Sequence, residues 1–191
     1  MTEEALMMEQ GDAKAKVEVE AKAIVEAERV FLRPFESGDA PALHAILSDA
    51  ETMAFVEPPY TREQTERFLA DFCIAKRAAL ACVMRQTGEL IGYMLFHQTE
   101  PGVYEMGWIL NRRVWRRGLA YESCRALIAY AFEQRDARRV FAETADTVKS
   151  VGLMEKLEMR FEGVERTEGK MPLYVYGLGV EEYARRASKG L

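Results

Sequence analysis

Apolar residues along the chain switch between short runs typical of strands and the three-to-four-residue spacing of helices. A first run, residues 30–35, contains Pro34 near its end and predicts a short strand. Three later runs are separated only by Thr87-Gly88 and Pro101-Gly102, which are turn sequences, and they predict an antiparallel meander. These runs cover residues 79–85, 90–96 and 103–110.

Helical spacing appears in four places. One helix opens at residues 37–39, and a second follows Pro58-Pro59, where Thr61 and Gln64 have the pattern of a capping box. A third helix follows Gly118. A fourth is expected over residues 150–157, between short strands at residues 140–142 and 173–176.

The order of these elements decides the fold class. Strand, two helices, three-stranded meander, helix, strand, helix and strand combine antiparallel neighbours with later crossover connections. We therefore expect an α+β domain with a central mixed, mostly antiparallel sheet flanked by helices.

Length and composition fit one globular domain. The chain has 191 residues, of which 49% are hydrophobic and 30% charged, as is usual for a domain with its own core. Residues 1–28 hold eight acids and three lysines, a net charge of −5 that equals the charge of the whole chain. The remainder is neutral, with 23 bases and 23 acids, and so lacks the overall basic surface typical of nucleic-acid-binding proteins.

The cysteines Cys73, Cys82 and Cys124 are odd in number and far apart, and neither a CxxC pair nor clustered histidines suggest a metal site. They fit the reducing cytoplasm. No apolar stretch approaches the roughly 18 residues of a membrane span, and the acidic N-terminus lacks the pattern of a secretory signal. We expect a cytoplasmic protein without a metal.

The most informative chemistry lies where a strand ends and a helix begins, at residues 108–120. Amides at a helix start have no intrahelical acceptor, and the helix dipole adds partial positive charge, so a phosphate binds well there. Gly118 and Ala120 leave room for a ligand to approach the backbone. Four arginines add charge around this turn: Arg112, Arg113, Arg116 and Arg117. On these residues alone, an ordinary loop with a solvated basic rim is an equally good interpretation.

Residues 115–122, Trp-Arg-Arg-Gly-Leu-Ala-Tyr-Glu, resemble the coenzyme-binding motif of the GNAT superfamily of N-acetyltransferases, with Gly118 and Ala120 at its small positions. Trp115 departs from the Gln or Arg that opens the motif, and this departure resembles the branch that includes the ribosomal-protein N-terminal acetyltransferases. Further segments are similar to the opening strand, the second hairpin and the fourth strand of that branch: residues 28–34, 87–92 and 105–108.

Residues 155–159, with Ser150 before them, resemble the run that follows the fifth strand of the family. Thr147 and Glu158 depart from it, because relatives usually have Asn and Gly there. The resemblance covers residues 27–184. It divides the chain into an acidic N-terminal extension, residues 1–26, helical or mobile, and an N-acetyltransferase domain, residues 27–191.

The resemblance implies a fold in which the fourth and fifth strands splay apart and acetyl-coenzyme A lies between them. Its pantetheine would then pair with the backbone of Trp108, Ile109 and Leu110. The other implied coenzyme contacts are Arg116, Arg117, Gly118, Leu119, Ala120 and Thr147.

An amine that attacks the thioester directly must be neutral and must lose a proton. Glu105 on the fourth strand is the candidate base, with a solvated or structural carboxylate as the alternative. Ser150 is the candidate proton donor to the leaving thiolate, with helix capping as the alternative. No tyrosine is preferred for that role. His44 and His97 are expected in packing or at the surface, with a position facing the acceptor pocket as the alternative.

The activity that the resemblance implies is acetyl transfer from acetyl-coenzyme A to a primary amine, on a protein N-terminus or a small molecule, in a ternary complex. A non-catalytic acyl-coenzyme A sensor is the alternative, because of the departures at Thr147 and Glu158. A nucleotide or nucleic-acid binder fits the neutral body poorly. Pairing of exposed sheet edges into a homodimer stays open.

Overall fold

A mixed sheet of eight strands forms the centre of the computed structural model, which describes residues 23–187. Across the sheet the order is β1-β2-β3-β4-β5-β6-β8-β7, and each neighbouring pair is antiparallel except β5 and β6. The strands are β1 (Val25–Glu26), β2 (Val30–Arg33), β3 (Ala79–Met84), β4 (Leu90–Glu100), β5 (Val103–Leu110), β6 (Arg139–Thr144), β7 (Arg160–Glu165) and β8 (Leu173–Gly179). The predicted mixed, mostly antiparallel sheet is confirmed.

Helices cover both faces of this sheet. They are α1 (Ala40–Leu47), α2 (Ala50–Met53), α3 (Arg62–Arg67), α4 (Leu119–Gln134), α5 (Lys149–Lys156) and α6 (Val180–Ala187). A π-helix, Phe68–Ala75, extends α3. The predicted capping box at the start of α3 is confirmed, because Thr61 accepts the Gln64 amide and the Gln64 side chain accepts the Thr61 amide.

The two faces of the sheet carry separate cores, which position everything else. On the face covered by α4 and α5, called the α4 face, Met106 of β5 packs with Leu127 of α4 and Met154 of α5. On the opposite face, called the α1 face, Leu43 of α1 and Leu69 of the π-helix pack over β2 to β4. Alternate residues of β2 and β3 therefore enter different cores, as the period of two requires.

The pairing of β5 with β6 is short, and it creates the main opening in the sheet. These strands, predicted as the fourth and fifth, pair in parallel only from Val103 with Arg139 to Glu105 with Phe141. Beyond Glu105, β5 continues to Leu110 without pairing to β6. The predicted splaying is confirmed. We refer to the space between the diverging ends of β5 and β6 as the gap.

Four short elements escaped the sequence patterns, one of them α2, a helix of four residues. β1 has two residues, and its Val25 pairs with Leu32, so the sheet begins before the expected domain boundary at residue 27. β7 is an edge strand whose side chains are mostly exposed, so its apolar alternation is weak. α6 has only eight residues, four of them charged, and follows β8 directly. Of the N-terminal extension expected to be helical or mobile, residues 1–26, the first 22 lie outside the described residues, and Val25–Glu26 form β1.

Within residues 23–187, no helix has the length and apolar character needed to cross a bilayer.

Candidate active site

The backbone of β5 presents unpaired groups to the gap. The Asn111 amide donates to the Ile91 carbonyl of β4 at 2.8 Å, so the backbone N–H and C=O groups of residue 111 face β4. The backbone N–H and C=O groups of successive residues in a strand point to opposite sides. Those of Ile109 therefore also face β4, whereas those of Trp108 and Leu110 face the gap. The Leu110 carbonyl accepts a bond from the Trp115 indole nitrogen at 2.8 Å. Trp108 therefore offers the freer pair of backbone groups.

The gap leads to the start of α4, where the backbone amides are open. Gly118 is the N-cap, with φ 78° in the left-handed region, and no side chain caps this helix. The amides of Leu119, Ala120 and Tyr121 donate to no other described residue. Unsatisfied amides at the positive end of a 16-residue helix fit a phosphate group.

The four arginines of the preceding turn divide into two pairs. Arg112 forms ion pairs with Asp49 and Glu51, and Arg113 pairs with Glu89. Arg116 and Arg117 are exposed and pair with no described acid. Their charges are therefore available to a ligand, whereas those of Arg112 and Arg113 are largely neutralised.

Glu105 lies on the α1 face, since its neighbours Tyr104 and Met106 enter the core of the α4 face. It stands directly opposite His97 of β4, with its Oε2 3.4 Å from His97 Nε2, and its side chain is 20% exposed. His97 Nδ1 is buried and has no hydrogen-bond partner among the described residues. His97, expected in packing or at the surface with the acceptor pocket as the alternative, therefore lies beside the candidate base.

A second carboxylate shares this environment. Glu143 of β6 lies two residues beyond Phe141, the partner of Glu105. Partial desolvation raises the pKa of Glu143, and the negative charges of Glu105 and Glu165 raise it further. The α1 face beside the gap is therefore acidic.

Ser150 lies on the other side of the sheet, in the first turn of α5. The alternative role for Ser150, capping this helix, is not observed, because Asp146 Oδ1 accepts the amides of Val148 at 3.0 Å and Lys149 at 2.9 Å. The Ser150 hydroxyl makes no hydrogen bond with a described residue, and Thr147 is exposed just before the helix. Glu105 and Ser150 thus belong to opposite faces.

A family model described as an acetyltransferase (GNAT) domain matches residues 29–160. The chain belongs to the GNAT family of acetyltransferases. The uncharacterized N-acetyltransferase YnaD of Bacillus subtilis (strain 168) is 27% identical over 142 residues, which are 73% of this chain and 84% of that protein. These similarities make the chain an N-acetyltransferase, and they favour an enzyme over the non-catalytic sensor.

Solved GNAT structures share the whole fold. The crystal structure of a GNAT-family acetyltransferase from Bacillus anthracis has a TM-score of 0.76 at 28% identity, over 83% of this chain and 99% of that one. RimL, a ribosomal L7/L12 alpha-N-protein acetyltransferase solved with coenzyme A, has a TM-score of 0.70 at 18% identity, over 83% and 98%. Members of the GNAT family use acetyl-coenzyme A as acetyl donor.

The departure from the GNAT pattern at Glu158 has a local explanation. Glu158 follows α5 with φ 55°, a left-handed conformation that is sterically favourable for glycine. The Met159 amide donates to the Met154 carbonyl at 3.0 Å, which closes the end of the helix. Arg186 of α6 pairs with the Glu158 carboxylate at 2.8 Å. Glu158 therefore combines a left-handed backbone, which usually favours glycine, with an ion pair to Arg186 that glycine could not make.

Residues 54–61 connect α2 to α3, and Tyr60 of this segment packs against the core of the α1 face. Tyr60 donates to the Glu57 carboxylate at 2.7 Å, and its ring meets the edge of Phe68. Both rings, with Glu57 and Asp71, line an open depression of about 270 Å³. Tyr93 lies beneath Phe68 and is buried, which raises its pKa.

The cysteines take no part in this site. Cys73, Cys82 and Cys124 are buried and unpaired. Burial raises the pKa of Cys73 and of Cys82 to about 12, so neither thiol ionises near neutral pH. Among residues 23–187, no group of three His, Cys, Asp or Glu side chains is placed to hold a metal ion.

Proposed function

We propose that this GNAT enzyme binds acetyl-coenzyme A in the gap and transfers the acetyl group directly to a primary amine. The observation that carries the proposal is the end of β5–β6 pairing at Glu105, which leaves the backbone of Trp108 facing open space. The same opening leads to the uncapped start of α4 at Gly118. Backbone donors and acceptors along a strand suit the amides of pantetheine, and a bare helix start suits a diphosphate.

In this proposal the diphosphate accepts hydrogen bonds from the amides of Leu119, Ala120 and Tyr121, and Arg116 and Arg117 supply positive charge. Trp108 and Leu110 bind pantetheine through their backbones. The groups of Ile109 point toward β4, so its contribution is limited to packing on the α1 face. Thr147 contributes from the opposite border of the gap.

The acceptor enters from the α1 face, where Glu105 lies. Its neutral nitrogen attacks the thioester carbonyl carbon, the carbon–sulfur bond breaks, and the nitrogen gives a proton to Glu105. The Ser150 hydroxyl on the α4 face donates a hydrogen bond to the leaving thiolate, which takes its proton from water, and Glu105 returns the amine proton to solvent. Because Glu105 and Ser150 stand on opposite faces, the reacting carbonyl lies between them in the gap, as a ternary complex requires.

The acceptor class follows from the walls of the site. The depression at Tyr60 and Phe68 is open to solvent, and its lining includes two acids, Glu57 and Asp71, and one base, Arg67. An open, acidic entrance admits the end of a chain as well as a small cation. We therefore propose a primary amine that is accessible at the surface of its carrier, such as a protein N-terminus, with small amines as the second group to test.

Thermal unfolding with acetyl-coenzyme A tests the coenzyme part of the proposal. A ligand at 100 times its dissociation constant stabilises the fold by about 2.7 kcal/mol, which is roughly 5–10 °C in Tm for a domain of this size. Pantothenate, which lacks the diphosphate, should give little shift at the same concentration. Absence of any shift at saturating acetyl-coenzyme A would overturn the proposal.

Replacing the candidate base tests the catalytic part. We expect Glu105→Gln to lower kcat/KM for the best amine by about 100-fold to 10,000-fold, because a positioned base is worth that much, while acetyl-coenzyme A binding persists. Glu100→Gln at the far, exposed end of β4 is the control and should change kcat/KM little. A nearly unchanged kcat/KM for Glu105→Gln would remove Glu105 from the mechanism.

We also propose a cytoplasmic location. The support is that each of the three cysteines is buried and unpaired, as in proteins of reducing compartments.

A further inference from the structure

We propose that Arg29 is a positioning residue for the coenzyme-binding turn, a role that rests on the proposed diphosphate site. Arg29 lies in the turn between β1 and β2, 88 residues before Arg117. Its Nη1 donates to the Arg117 carbonyl at 2.9 Å. The guanidinium therefore holds the backbone of the turn directly.

The same guanidinium is fixed to α4 by a carboxylate. Arg29 Nε donates to Glu122 Oε2 at 2.7 Å, and the Arg29 amide donates to Glu122 Oε1 at 2.5 Å. Glu122 is 15% exposed and lies in the first turn of α4. One side chain thus ties the first turn of the helix to the residue before its N-cap.

Arg29 is itself held in place by the sheet. The Ala27 amide donates to the Val30 carbonyl at 3.0 Å and closes the turn that contains Arg29. The Arg29 carbonyl accepts the Arg85 amide at 2.9 Å. The support for the coenzyme-binding turn therefore comes from a fixed part of the β1–β2 edge.

The turn needs such support because its backbone is unusual. Arg116 has φ 59° and Gly118 has φ 78°, so two residues within three adopt left-handed conformations. A non-glycine residue in that region persists only where its surroundings hold it. The position of a Cβ on Gly118 would lie 3.4 Å from Arg29 Nη2, so the guanidinium also borders the N-cap.

The consequence for binding is a larger competent fraction. A turn that is free to leave this conformation presents the amides of residues 119–121 less often, and the apparent dissociation constant rises in inverse proportion to the competent fraction. Lysine at position 29 keeps the charge, but it cannot reach Glu122 and the Arg117 carbonyl together as a guanidinium does. Arg29→Lys therefore separates the tether from the charge.

The test measures the dissociation constants of acetyl-coenzyme A and of S-acetylpantetheine, which lacks the diphosphate, by calorimetry or competition. We expect about tenfold weaker acetyl-coenzyme A binding for Arg29→Gln and a several-fold loss for Arg29→Lys. Binding of S-acetylpantetheine should stay within twofold of wild type for both variants. Arg160→Gln is the matched control. Arg160 of β7 also pairs with a mostly buried glutamate, Glu182 of α6, but this pair does not contact the coenzyme-binding turn.

A double variant excludes a purely electrostatic explanation. Arg29→Gln exposes the Glu122 charge to the diphosphate, and Arg29→Gln with Glu122→Gln removes that charge. We expect the double variant to stay weakened, because the tether to Arg117 is still missing. Recovery to wild-type affinity, or equal losses for acetyl-coenzyme A and S-acetylpantetheine, would overturn the positioning role.

The outcome also separates this inference from the proposed function. Wild-type protein that binds no acetyl-coenzyme A contradicts the diphosphate site itself. If the wild-type protein binds acetyl-coenzyme A and both Arg29→Gln and Arg29→Lys bind it with wild-type affinity, only the role of Arg29 is contradicted.

Discussion

Two helices begin at the two borders of the gap, and they treat their first amides in opposite ways. α5 follows β6, and Asp146 accepts the amides of Val148 and Lys149 through one carboxylate oxygen. α4 follows β5, and its N-cap Gly118 has no side chain to offer. Both helices pack on the same face of the sheet, so the difference lies in the caps and not in their surroundings.

The contrast shows which helix start has an internal acceptor for its amides and which does not. A carboxylate at a helix start accepts amides and complements the dipole, so the Lys149 amide that begins α5 is satisfied without a ligand. Gly118 leaves the amides to water or to an incoming anion, and Arg116 and Arg117 stand beside it without acidic partners among the described residues. The gap therefore has one closed border and one open border.

Making the open start resemble the closed one should have the largest effect. Gly118→Asp places a carboxylate at the N-cap of α4, where it accepts the free amides and repels a diphosphate; aspartate also tolerates a left-handed backbone. We expect acetyl-coenzyme A affinity to fall by 100-fold or more, about 2.8 kcal/mol or greater at roughly 1.4 kcal/mol per tenfold. Calorimetric titration measures the change.

Gly118→Asn is the matched control, because it has the same shape without the charge. An intermediate loss of affinity for this variant would support the electrostatic argument. Wild-type affinity in Gly118→Asp would contradict the assignment of the open helix start to the diphosphate.

Opening the closed start should change stability. Asp146 is buried and caps two amides, so Asp146→Ala should lower the free energy of unfolding by about 2 kcal/mol, the upper end for a cap. Urea denaturation gives the value. Asp146→Asn keeps an acceptor and should lose less; equal stability of wild type and Asp146→Ala would show that α5 does not depend on its cap.

The smallest expected effect concerns the other end of α5. Glu158 has a left-handed backbone, and both Glu158→Gly and Glu158→Ala remove its ion pair with Arg186. The glycine variant should be more stable than the alanine variant by about 1 kcal/mol, because only alanine retains the steric cost. Thermal unfolding of the two variants compares them, and a more stable alanine variant would refute the argument.

Much of the fold was predictable because its elements have strong local signals. The meander is marked by apolar runs and turn dipeptides, and the start of α3 is marked by Thr61 and Gln64. β7 was not predictable, since its stability comes from pairing with β8 and its own sequence is mostly polar. Its position outside β8 depends on contacts between distant segments.

The candidate site divides in the same way. Gly118 and its arginines are adjacent in sequence, so their motif was visible. Arg29 and His97 were not, because Arg29 meets Arg117 and Glu122, and His97 meets Glu105, only through the pairing of strands and the packing of α4. Which arginines stay free was likewise a tertiary property, since acids from α2 and the β3–β4 turn neutralise Arg112 and Arg113.

A crystal structure of the complex with acetyl-coenzyme A tests the open border of the gap most directly. We predict that diphosphate oxygens lie within about 3.2 Å of at least two of the amide nitrogens of Leu119, Ala120 and Tyr121. A diphosphate bound elsewhere, or side chains filling the space before α4, would contradict the account.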